Sequence, residues 1–224
     1  MQPLFMDVWK RNGIYHAILL LKNRIDLNPS LLGAALCFWD SASNTFAFGP
    51  SPMTPTILDM VALFGFKPWG GNIDVLGDYE VENRKVKVPM KASKAEILRL
   101  KTYSGFMMSF QGIADREQEH MMFLLFWLNR FIFPNVDGSV SPEYMHLAEA
   151  LHNELGLATC LFMLASLYHC LYQITVNPLN LAVCGPIWMV QIWLEWYFPE
   201  LGTEDLVYLE DDVTATALAI ALKR

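Results

Sequence analysis

The sequence predicts a mainly α-helical single domain, a bundle of several helices with a small β-hairpin inserted near residues 45–48. Apolar residues make up 54% of the chain and charged residues only 17%, which is enough for a large core and argues against disorder. The forty positions from Leu155 to Leu194 contain no Asp, Glu, Lys or Arg. Most other segments show apolar residues at helical spacing between proline and glycine breaks.

The chargeless segment is interpreted as two core helices. A membrane span needs about 20 apolar residues, and the first half of this segment is interrupted by Thr159, Ser166, His169, Gln173 and Thr175. Asn177-Pro178 should end the first helix, and Gly185-Pro186 should open the second because proline is accommodated in a first helical turn. We therefore expect the remaining helices to cover both of these helices, and we expect no membrane residence.

Other elements follow from caps and breakers. The predicted helices cover residues 13–22, 31–39, 56–64, 93–110, 115–133 and 141–151, with a strand at 45–48 and Gly65 closing the third helix. Residues 67–90 are rich in charge, proline and glycine and are predicted to form a surface excursion with a short strand near 86–88. Residues 1–200 form the predicted domain. Residues 201–224 form a predicted acidic, loosely packed tail, because six acids and no base lie between Glu200 and Asp212.

The net charge of −7 does not favour non-specific nucleic-acid binding. One local basic cluster leaves that function open, and its weak candidates for contacting nucleic acid are Lys85, Lys87, Lys94 and Lys101. The four cysteines, at positions 37, 160, 170 and 184, form no C-x-x-C pair and stand in apolar surroundings. They indicate buried free thiols in a reducing compartment.

The sequence contains no G-x-S-x-G, Walker lysine loop, G-x-G-x-x-G or H-E-x-x-H motif, and it indicates no cofactor and no metal. Two Glu-x-x-His pairs, Glu117/His120 and Glu149/His152, have the spacing found in di-iron bundles. The predicted helices that would have to supply further glutamates contain none, so both pairs are expected to be exposed polar faces. An enzyme is the less favoured interpretation, and it would need an unrecognised transferase-type site.

Three blocks of sequence carry a resemblance to a known family. The first reads WDSASNTF at 39–46 and MTPTILDMVALFGF at 53–66. The second reads FLLFWLNRFIFP at 123–134, and the third reads LYHCL at 167–171 followed by CGPIWMVQIW at 184–193. In this order, over about residues 10–200, they resemble the plant mobile domain. The chain departs from the usual pattern at Ala47, Ser51-Pro52 and His169, and the segment from Leu201 does not clearly match.

The resemblance implies a plant protein of a group sometimes labelled aminotransferase-like, which includes retrotransposon-borne copies and cellular maintenance-of-meristems proteins. The cellular members are nuclear and are linked to transposon silencing, genome stability and a phosphatase-like partner. The aminotransferase label finds no support, since no lysine stands in a recognisable pyridoxal-phosphate setting and no large α/β pattern is present. We therefore expect a non-catalytic protein-interaction module of transposon-related origin.

The motif positions expected to contribute to interaction are Trp39, Thr45, Phe46, Asp59, Arg130, Tyr168, Trp188 and Trp193. For two of them, Asp59 and Arg130, a structural alternative stays open: a buried ion pair or a helix-cap contact.

Overall fold

The computed structural model describes residues 2–22, 27–49, 51–71, 87–135, 137–176 and 185–201. Within these ranges the chain is mainly α-helical with one small antiparallel sheet, as predicted. The helices are α1 Gln2–Asn12, α2 Tyr15–Lys22, α3 Pro29–Leu36, α4 Ile57–Phe64, α5 Lys94–Leu98, α6 Tyr103–Phe110, α7 Arg116–Trp127, α8 Met145–His152, α9 Thr159–Val176 and α10 Trp188–Tyr197. The strands are β1 Trp39–Asp40, β2 Thr45–Ala47 and β3 Pro52–Met53.

The predicted hairpin is present and gains a third strand. β1 and β3 both pair antiparallel with β2, so that Phe46 stands opposite Trp39 on one side and Met53 on the other. Asp40 closes the first turn by accepting hydrogen bonds from the backbone of Ala42 and the hydroxyl of Ser43. This arrangement holds Phe46, which is fully buried, over the helical core.

Local capping chemistry sets the bounds of α4. Thr56 Oγ1 accepts a hydrogen bond from the Asp59 backbone N–H, and the Asp59 carboxylate accepts one from the Thr56 backbone N–H, which is a capping box. Gly65 ends the helix in the left-handed conformation, with φ 69°. The sequence predicted a helix at 56–64 capped by Thr54-Pro55; the helix is present as Ile57–Phe64, and its cap is Thr56.

The structure differs from the predicted helices at three places. Helix α1, at residues 2–12, was not predicted at all. The helix predicted at 93–110 is two helices, because Thr102 caps a new one by accepting a hydrogen bond from the Gly105 N–H. The helix predicted at 31–39 ends at Leu36, since the Phe38 carbonyl accepts a hydrogen bond from the Ala47 N–H and so draws the chain into the sheet.

The chargeless segment behaves differently in its two halves. Helix α10 is buried at every position from Trp188 to Glu195, and it packs against α3 and α4. Helix α9 packs one face on α4, but Leu161, Tyr172 and Val176 on its other side are exposed. The prediction of enclosure is thus confirmed for α10 and holds for only one face of α9. By length and composition alone, α9 is the one helix of the described ranges that could cross a membrane.

The end of the predicted surface excursion is anchored. The Asn153 side chain accepts a hydrogen bond from the Val88 N–H and donates one to the Val88 carbonyl, and Glu149 accepts one from the Met90 N–H. These bonds fix the chain across α8 before α5 begins. The strand expected near 86–88 falls partly outside the described residues, as do the break at Asn177-Pro178 and the tail from residue 202.

Candidate functional site

The second sequence block contains a widened helical turn. α7 continues beyond Trp127 as a π-helix over Leu128–Ile132, and the Phe133 N–H donates to the Leu128 carbonyl, five residues back, at 2.8 Å. Such turns insert one extra residue into a helix and often occur at functional sites. Arg130 lies in the middle of this turn.

Buried Asn129 holds the widened turn against the following loop. Its side-chain amide donates to the carbonyls of Leu125 and Ser141, and its side-chain oxygen accepts a hydrogen bond from the Ser141 N–H at 2.7 Å. Its backbone carbonyl accepts a hydrogen bond from the Tyr103 hydroxyl at 2.9 Å. A single side chain therefore connects the π-turn with the loop before α8, while Tyr103 satisfies a carbonyl in the turn.

Arg130 is exposed and oriented by Tyr103. The guanidinium carbon lies 5.1 Å from the centroid of the Tyr103 ring, within cation–π distance. The Tyr103 backbone N–H donates to the Gly138 carbonyl, so both ends of this tyrosine are fixed. An exposed, oriented guanidinium is suited to bind a carboxylate or phosphate in a planar, two-bond geometry.

The aromatic residues of the first and third blocks meet in the core. The Trp39 ring lies 4.8 Å from Phe46 and 6.1 Å from Tyr168, and Phe46 lies 5.7 Å from Trp193, all between ring centroids. The Tyr168 hydroxyl donates to the Pro55 carbonyl at 2.6 Å. These contacts join the sheet to α9, α10 and the segment before α4.

Asp59 acts as a helix-capping residue, and its hydrogen-bond partners among the described residues do not include a basic side chain. Asp59 is 3% exposed, and its carboxylate accepts hydrogen bonds from Thr56 and, at 2.8 Å, from the Tyr197 hydroxyl. Burial and the hydrogen bond to Asp59 raise the pKa of Tyr197 to about 12. The bond ties the end of α10 to the start of α4.

The structure separates the predicted interaction positions into two groups. Trp39, Phe46, Asp59, Trp188 and Trp193 are buried, whereas Thr45 and Tyr168 are half-buried. Of the eight positions, Arg130 alone is exposed. The buried residues are therefore part of the core, whereas the Arg130 side chain is accessible at the surface. Sequence reasoning missed Tyr103, which lies outside all three blocks.

The two Glu-x-x-His pairs were expected on exposed faces, and for the histidines this is wrong. His120 and His152 are buried and face each other, with 2.8 Å between their Nδ1 atoms. Trp9 donates its Nε1–H to His120 Nε2 at 2.7 Å, and Phe5 stacks on the His120 ring. The unpredicted helix α1 supplies both aromatic residues, which is why the sequence pattern misled.

The histidine pair has no third metal-binding side chain grouped with it in the described ranges, where no three His, Cys, Asp or Glu residues are arranged to hold a metal ion. Burial lowers the pKa of His120 to about 3 and also lowers that of His152. Both rings are therefore neutral near pH 7.

An open cleft of about 270 Å³ lies where α5, α6 and α7 meet. Lys91, Glu96 and Asp115 lie along it, and Lys91 Nζ pairs with Asp115 Oδ2 at 2.6 Å. Pairing raises the pKa of Lys91 and lowers that of Asp115. Both groups thus stay charged near neutral pH, which does not suit them to general acid–base catalysis.

The structure describes three of the four lysines that were considered as nucleic-acid contacts. Lys87, Lys94 and Lys101 are exposed, and Lys85 lies outside the described residues. Between positions 87 and 101 the sequence has five bases and one acid, in a chain with a net charge of −7. The local charge is thus opposite in sign to that of the whole chain.

The cysteines partly match their prediction. Cys160 and Cys170 are buried, as expected, whereas Cys37 is exposed, contrary to expectation, because the turn after α3 faces solvent. Cys184 lies outside the described residues. Burial raises the pKa of Cys160 to about 11, so its thiol is unreactive at neutral pH.

Together these features define a helical domain in which the aromatic residues of the three sequence blocks build the core and Arg130 of the second block is exposed. A family model, plant mobile domain, matches residues 13–218, which is most of the chain. The chain belongs to the plant mobile domain family. No curated protein and no solved structure matches it. The family match extends into the segment expected to be a separate tail.

Proposed function

We propose that this chain is a non-catalytic protein-interaction module of transposon-related origin. It acts in the nucleus, in transposon silencing, genome stability and meristem maintenance, together with a phosphatase-like protein partner. The observation that carries this proposal is the family match over residues 13–218. The family match supports the transposon-related origin. The cellular roles and the partner are inferred from what the resemblance of the three sequence blocks implies.

The side-chain distribution supports a contact made by Arg130. The other motif positions are buried or half-buried, so a partner that binds the motif residues at the surface would contact Arg130. Arginine is enriched among the residues that dominate binding energy at interfaces. Its stacking on Tyr103 reduces the conformational freedom that binding would otherwise remove. We expect the partner to present a carboxylate, a phosphate or an aromatic face there.

Affinity purification of the tagged full chain from plant nuclei tests the proposal. Wild type is compared with Arg130→Ala and with Arg99→Ala, which removes an exposed arginine outside the three blocks. Wild type and Arg99→Ala should recover a stable protein partner, and Arg130→Ala should recover about tenfold less, the effect of losing an interface anchor. Recovery of no stable protein from any of the three would overturn the proposal.

Nucleic-acid binding is the second candidate, favoured by the local excess of positive charge between residues 87 and 101. A gel-shift assay at low salt is the direct measurement. Binding that weakens in Lys94→Glu/Lys101→Glu and falls with added salt would support it, because phosphate contacts release counterions. If the protein does not retard nucleic acid in the gel at low salt, nucleic-acid binding is excluded.

A further inference from the structure

Helix α1 covers the buried histidine pair with two aromatic side chains from one helical face. Phe5 and Trp9 are four positions apart, so they project from the same side of α1. The Phe5 ring stacks on the His120 ring at 3.9 Å between centroids, and the Trp9 ring lies 5.4 Å from that of Phe123 on α7. Phe5 is 8% exposed and Trp9 is 3% exposed. These two residues therefore shield the pair from solvent on the α1 side.

The hydrogen bonds of the pair occupy every acceptor nitrogen of the two rings. The indole N–H of Trp9 is only a donor, so His120 Nε2 accepts in their 2.7 Å hydrogen bond. A neutral His120 then has its proton on Nδ1 and donates it to His152 Nδ1, 2.8 Å away. Each ring thus has one acceptor nitrogen, and a donor already faces it. A further proton on either ring must break one of these two hydrogen bonds.

The surroundings of the pair set burial against charge. Burial lowers the pKa of His120 to about 3. Burial also lowers the pKa of His152, whereas the charges of nearby acids raise it; these acids are Glu117, Glu154, Asp115 and Glu149. The basic groups of α1, of α7 and of the segments beside α8 lie against other side chains: Arg11 pairs with Glu154, Lys91 with Asp115 and Arg116 with Glu119, Lys10 lies over the Tyr15 ring, Asp7 acts on Arg11, and Lys87 acts on Glu154. Removing α1 would reduce the burial and leave the acids in place.

The attachment of α1 allows it to move without the rest of the domain. Among its described side chains, Phe5, Trp9 and Asn12 are buried. The Asn12 amide donates to the Leu151 carbonyl at 2.6 Å, next to Gly13, which has the left-handed φ of 68°. The match to the family model begins at this glycine, so α1 lies outside it. Eleven residues make a marginal helix in water. The contacts of Phe5 and Trp9 therefore hold most of α1 in place.

We propose that α1 is a pH-sensitive cover, which pivots about Gly13 and leaves the histidine pair when the pair takes up a proton, while the rest of the domain stays folded. Helices α7 and α8 pack along each other through buried residues, so they stay together. Opening uncovers His120, His152 and Phe123. The domain then presents a different surface in acid than at neutral pH. This proposal is independent of the partner contact proposed for Arg130.

The direction of the pH effect follows from the two states. Both rings are neutral in the closed state, whereas in the open state each regains an ordinary histidine pKa of about 6.5. The open state therefore binds protons that the closed state does not, and its population rises as the pH falls below that value. For one histidine, the ratio of open to closed molecules should rise about 25-fold between pH 7 and pH 5.

Hydrogen–deuterium exchange of the full chain at pH 7 and pH 5, corrected for the intrinsic pH dependence of amide exchange, tests the proposal. The backbone amides of residues 6–12 should lose protection about 25-fold between the two pH values. At pH 5 their exchange should not respond to urea below the unfolding transition, because a local opening exposes little surface. The amides of α10 should respond to urea, since a buried helix opens with the whole fold.

Two variants assign the effect to the histidine pair. His120→Phe should reduce the pH-dependent change, because the acceptor of the Trp9 hydrogen bond can no longer be protonated. His169→Gln is the matched control, because His169 is exposed on α9, and it should keep the wild-type change. A change of equal size in wild type and His120→Phe overturns the proposal.

The wild-type measurement decides the question even if His120→Phe fails to fold. If exchange of residues 6–12 rises with urea in parallel with that of α10, then α1 opens only on global unfolding and the proposal is overturned. Equal protection of residues 6–12 at pH 7 and pH 5 overturns it as well. Exchange that is independent of urea and faster at pH 5 supports it.

Discussion

Trp9 and His120 are 111 positions apart in the sequence and are joined by a 2.7 Å hydrogen bond. Because indole N–H is only a donor, His120 Nε2 must accept, and the proton of a neutral His120 is then on Nδ1. That proton is donated to Nδ1 of His152, 2.8 Å away. The chain of hydrogen bonds from Trp9 to His120 to His152 therefore requires both imidazole rings to be neutral. It connects α1 with α7 and α8.

Low pH should weaken the Trp9–His120–His152 hydrogen bonds and so lower the free energy of unfolding. Burial depresses the folded-state pKa of His120 from 6.5 to about 3, so the unfolded chain binds a proton that the folded chain does not. The stability contribution is complete above pH 6.5 and is lost progressively as the pH falls towards 3. Urea denaturation at pH 7 and pH 5 should show a free energy of unfolding lower by about 2 kcal/mol at pH 5. His120→Phe should reduce that difference; an equal difference in both proteins would contradict the assignment.

Removing the indole donor should also destabilise the fold. Trp9→Phe leaves His120 Nε2 buried without its donor and should cost about 1–3 kcal/mol of unfolding free energy. Trp127→Phe is the control, because the Nε1 of Trp127 is buried without a hydrogen-bond partner among the described residues. Thermal unfolding monitored by circular dichroism compares the two. Equal loss in both variants would mean that the hydrogen bond contributes nothing beyond packing.

The capping role of Asp59 predicts a loss of stability on substitution. Asp59→Ala removes the capping box of α4 and leaves the Tyr197 hydroxyl without its acceptor, for a cost of about 2–3 kcal/mol. Tyr197→Phe removes only the second contact and should cost about 1 kcal/mol. The denaturant concentrations at the unfolding midpoints of the two variants measure both stability losses. An Asp59→Ala protein as stable as wild type would exclude the capping account.

Asn129 should be the most sensitive position near the π-turn. Asn129→Ala removes three hydrogen bonds and leaves the Ser141 N–H and carbonyl unsatisfied, with an expected cost of about 2–4 kcal/mol. Tyr103→Phe loses one hydrogen bond and keeps the ring under Arg130, so it should cost about 1 kcal/mol. Chemical denaturation of the two variants ranks them. The reverse ranking would contradict the role given to Asn129.

Local signals in the sequence were enough for much of the fold. Thr56, Gly65 and Asp115 act over one helical turn, so their effect on helix ends is visible without tertiary information. The burial of α10 from Trp188 to Leu194 was predicted from the absence of charged residues in that stretch. These features depend on neighbours in sequence, which is where pattern reasoning applies.

The remaining features depend on contacts between distant residues. The pairing of His120 with His152 needs α1 to cover both rings, and nothing near either histidine indicates that helix. Likewise, neither side of α9 carries an Asp, Glu, Lys or Arg, so charge does not distinguish its exposed side from the side that packs on α4. Arg130 was selected from its motif, whereas its stacking on Tyr103 joins residues 27 positions apart.

We propose that the buried residues of the motif maintain the fold while Arg130 contacts the proposed nuclear partner. One experiment separates these roles: recovery of the nuclear partner per unit of folded chain for Arg130→Ala and Asp59→Ala, each also measured for unfolding free energy. We predict that Arg130→Ala loses partner recovery while its stability stays within about 1 kcal/mol of wild type, the size of a surface cation–π contact. Asp59→Ala should lose stability and keep recovery per folded molecule. Full recovery by a folded Arg130→Ala protein would contradict the claim.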